Sequence, residues 1–129
     1  MNYSSKLEII LGPMFSGKTT KLLEIMDTLD EQNIKCIAVK PEIDNRYTDD
    51  NNNFIVSHNL KKRECQVVSN LKDVLKEIQK SKTIPATRSD SIEYVIVDEG
   101  QFFQNLYLFC LICLEKFNVN VIVTGLDGD

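Results

Sequence analysis

The chain has 129 residues, enough for one compact domain that buries a core without disulfides or metals. Hydrophobic residues make up 43% and charged residues 26%, which excludes a chain disordered throughout, and no apolar run approaches the roughly 18 residues of a membrane span. The net charge of −4 argues against nucleic acid as a partner, and the one basic run, Lys61-Lys62-Arg63, reads as a solvated turn. The first residues lack the apolar stretch of a signal peptide. The expectation is therefore a cytoplasmic protein with no membrane partner, in which Cys36, Cys65, Cys110 and Cys113 stay reduced.

In chain order, Leu7 to Leu11 reads as a short buried strand. Leu22, Leu23, Ile25, Met26 and Leu29 fall on one face of a helix from Lys18 to about Glu31. Cys36 to Val39 is a second strand, and the polar stretch from Pro41 to Asn53 a long surface loop. Phe54 to Val56 and Cys65 to Val68 are short strands, with His58 and the basic turn between them. Leu71, Val74, Leu75 and Ile78 give an amphipathic helix capped by Ser69 or Asn70, followed by a connection from Lys82 to Ser91. Tyr94 to Val97 is a central strand, Asn105 to Phe117 a helix buried in the fold or in a subunit contact, and Val119 to Thr124 the last strand. Strands alternating with helices predict an α/β fold, a parallel sheet flanked by helices on both faces.

Two motifs carry chemistry. Gly12, Gly17, Lys18 and Thr19 meet the spacing G-x-x-x-x-G-K-[ST] between a strand and a helix. There a loop turns its amides inward around phosphate oxygens, Lys18 supplies a mobile positive charge, and the Thr19 hydroxyl joins a Mg²⁺ shell. The helix adds its positive N-terminal end. A nucleoside triphosphate with Mg²⁺ is the ligand this pattern implies. The second motif is Asp98-Glu99 at the end of the apolar strand Tyr94 to Val97. Ligands of open α/β sheets collect at such strand ends, so Asp98 suits the metal side of the site. Glu99 can accept a proton, from a hydroxyl or from water. Cys110 and Cys113 have metal-like spacing but sit in an apolar helix without a second ligand pair, and read as core cysteines.

The runs Gly-Pro-Met-Phe-Ser-Gly-Lys-Thr at 12–19, Asp-Asn-Arg-Tyr at 44–47, Asp-Glu-Gly-Gln-Phe-Phe at 98–103 and Leu-Asp-Gly at 126–128 together resemble the type II thymidine kinases. The resemblance implies a P-loop NTPase fold of RecA-like architecture. It also implies a transferase that moves the γ-phosphate of ATP to the 5′-hydroxyl of thymidine, in nucleotide salvage for DNA synthesis. By that likeness Glu99 is the catalytic base. Gly12, Pro13, Met14, Phe15, Ser16, Gly17, Lys18, Thr19, Asp44, Asn45, Arg46, Asp98 and Gln101 line the ATP and Mg²⁺ site, with Arg46 stabilising charge on the transferring group. Met14, Phe102 and Leu126 correspond to positions around the thymine ring, although residue type alone would place each in the core. His58 resembles a family position and is expected to make a structural hydrogen bond.

The sequence stops at Asp129, where the family continues into a small zinc-bearing domain and a loop that closes over thymidine. A single kinase domain over 1–129 is therefore expected, with Zn²⁺ bound only in a longer form. The resemblance also implies a homo-oligomer, tetramer or dimer. Two alternatives stay open: a P-loop ATPase of the RecA or motor type, and a non-catalytic ATP-binding remnant.

Overall fold

The computed structural model describes residues 5–12, 17–42, 53–57, 59–83 and 90–125. In chain order the elements are β1 (Leu7–Leu11), α1 (Lys18–Glu31), β2 (Cys36–Pro41), β3 (Phe54–Val56), β4 (Lys62–Glu64), β5 (Gln66–Val68), α2 (Leu71–Thr83), β6 (Tyr94–Val97), α3 (Leu106–Leu111) and β7 (Asn120–Gly125). Five strands form one sheet in the order β1-β7-β6-β2-β5, and each neighbouring pair is parallel. The expected doubly covered parallel sheet is what the chain forms.

Alternation along the strands decides which helix each side chain meets. Ala38, Ile96 and Ile122 pack against Leu22, Leu23, Met26 and Leu29 of α1. On the opposite face Ile37, Val39, Val95, Val97, Val121 and Val123 pack against Val74 and Ile78 of α2 and Phe109 and Cys113 of the α3 segment. Because both faces are buried, β6 is apolar at every position rather than at alternate ones. Among the described residues no helix is long and apolar enough to cross a membrane.

Leu7 to Leu11 is a strand but not the buried one expected: β1 is the edge of the sheet, and Leu7, Ile9 and Leu11 are exposed. Three further expectations need correction. The basic run is not a free turn: Lys62 and Arg63 lie in β4, which pairs antiparallel with β3 through Ile55↔Arg63 and Val56↔Lys62. Arg63 then reaches α1, bonding Asp27 at 2.6 Å and Asp30 at 3.4 Å. Next, α2 continues through Lys82 and Thr83, where a connection was expected. The Ser81 hydroxyl donates to the Ile78 carbonyl at 2.7 Å and accepts the Ile92 N–H at 3.2 Å, tying the helix end to the entry of β6. At its other end Asn70 is the cap, accepting the Lys72 N–H at 2.9 Å. The third is the expected helix Asn105 to Phe117. It is α-helical only to Leu111 and then makes a π turn, Ile112–Lys116, in which the Phe117 N–H reaches back to the Ile112 carbonyl. Within the chain this helix is only partly buried: Phe109 and Cys110 face the core, and Tyr107 and Leu108 are exposed on its surface.

Cys110 and Cys113 are buried in the core. Burial pushes the Cys65 thiol up to about 11 and the Cys113 thiol up to about 12, and raises Cys36 and Cys110 as well. Only the thiolate alkylates. At pH 8 the native chain should therefore resist iodoacetamide over a period in which the denatured chain takes up four adducts, a difference read by intact mass. Rapid labelling of Cys113 in native buffer would contradict the packing described here.

Candidate active site

The C-terminal ends of β1, β7 and β6 bring the two motifs together. β1 runs into Gly12, whose N–H donates to the Gly125 carbonyl at 3.2 Å, extending the β1–β7 ladder by one bond. Gly17 precedes α1 with φ 87, a left-handed conformation that glycine adopts without strain. α1 then opens with Lys18, Thr19, Thr20 and Lys21, with no acidic side chain in its first turn. The helix thus presents its N–H groups and positive end with no carboxylate of its own to compete for them. Lys18 Nζ donates to the carbonyls of Gly12 (2.8 Å) and Gly125 (3.2 Å). It is parked between the ends of β1 and β7.

From β6 the chain enters a tight turn. The Asp98 N–H donates to the Val39 carbonyl at 2.8 Å, fixing this residue at the strand end. Glu99 follows with φ 53 and ψ 51, left-handed values unusual for a residue with a side chain. A 3₁₀ turn, Gly100–Phe102, completes the corner. Asp98 and Glu99 are both half-buried. Burial, and then the charge of Asp98, raise the Glu99 carboxyl above the usual carboxylate range, while Lys18 and Lys40 pull it back.

Two glycines set how closely this corner approaches β7. A Cβ built on Gly100 would lie 2.6 Å from Val123 Cγ1 and 3.1 Å from Leu106 Cδ2. One on Gly125 would meet Gln101 Oε1 at 2.9 Å, so the Gln101 amide rests against the end of β7. Gly100→Ala should therefore destabilise the chain by about 1–3 kcal/mol through overpacking of the core side of the turn. Denaturant titration reads this directly. An unchanged midpoint would mean that the corner gives way freely.

The structure gathers Gly12, Gly17, Lys18, Thr19, Asp98, Glu99 and Gln101 at one end of the sheet. Phe102, which residue type alone would put in the core, is 55% exposed on the same corner, whereas Phe103 is buried. Pro13, Met14, Phe15, Ser16, Asp44, Asn45, Arg46, His58 and Leu126 lie outside the described residues. Sequence reasoning did not single out Thr124. Its hydroxyl donates to Asp98 Oδ1 at 2.6 Å and accepts the Glu99 N–H at 3.3 Å. The available signal was a lone hydroxyl at the end of the apolar run Val121-Ile122-Val123.

The donors suit a magnesium-bound polyphosphate. Asp98 and Thr19 offer hard oxygens, as Mg²⁺ requires, and the ammonium of Lys18 suits phosphate oxygens. A parallel sheet, a glycine turn that follows β1 and opens a helix, and a carboxylate at the end of β6, one strand removed from β1 across β7, define a P-loop nucleotide-binding fold. The chain belongs to the thymidine kinase family, whose model matches residues 5–129. It is 34% identical over 126 residues to the thymidine kinase of Fowlpox virus (strain NVSL), an alignment covering 98% of this chain and 63% of that protein. With the thymidine kinase of Aster yellows witches'-broom phytoplasma (strain AYWB) it shares 36% over 123 residues, 95% of this chain and 53% of the relative. Thymidine kinase 1 of Dictyostelium discoideum is 32% identical over 126 residues, 97% of this chain and 50% of the relative. The chain thus spans between 50% and 63% of the length of these three proteins.

Proposed function

We propose that this chain is a kinase domain that transfers the γ-phosphate of ATP to the 5′-hydroxyl of thymidine. The observation that carries the reading is the meeting of Lys18, Asp98 and Glu99 at the ends of β1, β7 and β6, in a chain of the thymidine kinase family. The loop 12–19 and the start of α1 hold the phosphates, and Lys18 exchanges its two carbonyl partners for phosphate oxygens. Asp98 and Thr19 would hold Mg²⁺, with Gln101 on the same corner as Asp98. Magnesium, when bound, neutralises charge on the phosphate oxygens. Glu99 takes the proton of the attacking hydroxyl, a role that in loose phosphoryl transfer is largely one of positioning. Arg46, with Asp44 and Asn45, is assigned to the transferring group, and Met14, Phe102 and Leu126 to the thymine ring.

The test is ADP formation by the purified chain with ATP, MgCl₂ and thymidine, each omitted in turn. ADP that depends on all three supports the reading. Release that ignores thymidine but rises with single-stranded DNA would replace it with a motor-type ATPase. Thermal stabilisation by ATP without turnover would leave a nucleotide-binding remnant.

A further inference from the structure

We propose that Thr124 is the positioning residue of this site, aligning Asp98 toward the metal and holding the turn that presents Glu99. The inference rests on the kinase reading only for the role of Glu99; its metal arm stands on the geometry alone. Thr124 is fully buried on the α1 side of β7, next in that face to Ile122, and pairs in register with Ile10 of β1. A buried strand position of this kind favours an apolar β-branched residue, as at 121, 122 and 123. Valine would have the same shape without a hydroxyl to desolvate. The packing of β7 alone gives no reason for the oxygen.

The site does. That one oxygen spans two elements: its proton goes to Asp98 Oδ1 at 2.6 Å, and its lone pair accepts the Glu99 N–H at 3.3 Å. The first contact has the length of a charge-assisted O–H···O⁻ bond and engages Oδ1, so that the hydroxyl does not occupy Oδ2, the oxygen assigned here to a metal or its water. The second ties down the amide of a residue held at φ 53, at the point where β6 hands over to the 3₁₀ turn. Both groups sit at the rim, half-buried, and both are fixed to one side chain that water does not reach. Outer partners of this sort orient metal-side ligands and tune their affinity.

The experiment compares the wild-type chain with Thr124→Val and Thr124→Ser, titrating each with ATP in MgCl₂ and again in EDTA. The readout is the magnesium gain, the ratio of the two dissociation constants. A general loss of stability leaves this ratio alone, because both titrations use the same fold. Thr124→Val should cut the gain roughly tenfold, the scale of a hydrogen bond to a charged group, and Thr124→Ser should restore it. A wild-type gain in the valine variant overturns the proposal. So does an equal loss in the serine variant, which would make the methyl rather than the hydroxyl responsible, or the absence of any gain in the wild type. If the valine variant is not folded at the assay temperature, Thr124→Ala is read by the same ratio. A wild-type chain that shows the gain yet fails to phosphorylate thymidine removes the kinase reading and leaves the Thr124–Asp98 assignment standing.

Discussion

Replacing Glu99 by glutamine is expected to lower thymidine-dependent turnover by about 10²-fold or more, the usual scale of a lost general base. Glutamine keeps the size and hydrogen-bonding reach of the side chain but cannot take up a proton. ATP affinity should therefore stay close to that of the wild type. The pH profile carries the same information. Burial, and next the Asp98 charge, raise the Glu99 carboxyl, so it holds its proton at a pH where a free glutamate has lost it. A protonated base is idle. Activity is present above the raised value and lost as pH falls through it, so the acid limb of kcat/KM for MgATP should lie above the ordinary glutamate range. That limb should vanish in Glu99→Gln. A variant with full turnover would remove Glu99 from the chemistry.

Lys18→Ala should be comparably severe, with turnover down about 10²–10³-fold, as when one preorganised donor to a developing oxyanion is removed. In this structure the ammonium bridges the Gly12 and Gly125 carbonyls at 2.8 and 3.2 Å, so it already stands where the first and last strands end. Moving from carbonyl dipoles to full phosphate charges is a large gain in interaction for a short displacement. ATP affinity should fall as well, unlike in Glu99→Gln, and calorimetric titration separates the two variants. Lys18→Arg should not restore function, because a planar fork does not replace a compact point charge in a closed loop. Unchanged ATP binding in Lys18→Ala would exclude this lysine from phosphate recognition.

Much of the fold is legible in the residues because the central strands β2, β6 and β7 are buried on both faces, although the equally apolar edge strand β1 is not. Tyr94 to Val97 can be read as a central strand without knowing its neighbours, since every side chain must be apolar. The elements that were misread are held by something other than side-chain burial. β4 is Lys62-Arg63-Glu64, with no apolar pattern, and it exists because its backbone pairs with β3 and Arg63 finds Asp27 and Asp30 on α1. The π turn after Leu111 depends on how Cys113 and Phe117 pack against the sheet, information that a helical period does not contain. In the site, the charged residues announced themselves by spacing and motif. Thr124 did not, because a threonine in a strand is ordinary until its two partners, Asp98 and Glu99, are seen across a chain separation of 25 or more residues.

The left-handed backbone at Glu99 has a cost that falls on the chain's endurance rather than on its chemistry. A residue with a Cβ in this region is disfavoured by roughly 1–2 kcal/mol relative to its ordinary conformations. Glycine would be at ease there, and alanine at positive φ costs more than the roughly 0.4–1 kcal/mol of extra freedom that glycine gives the unfolded chain, so Glu99→Gly should melt higher than Glu99→Ala. Selection for robustness alone would empty this position of its carboxylate, and on the role proposed for Glu99 a hardier descendant obtained that way would have lost its base.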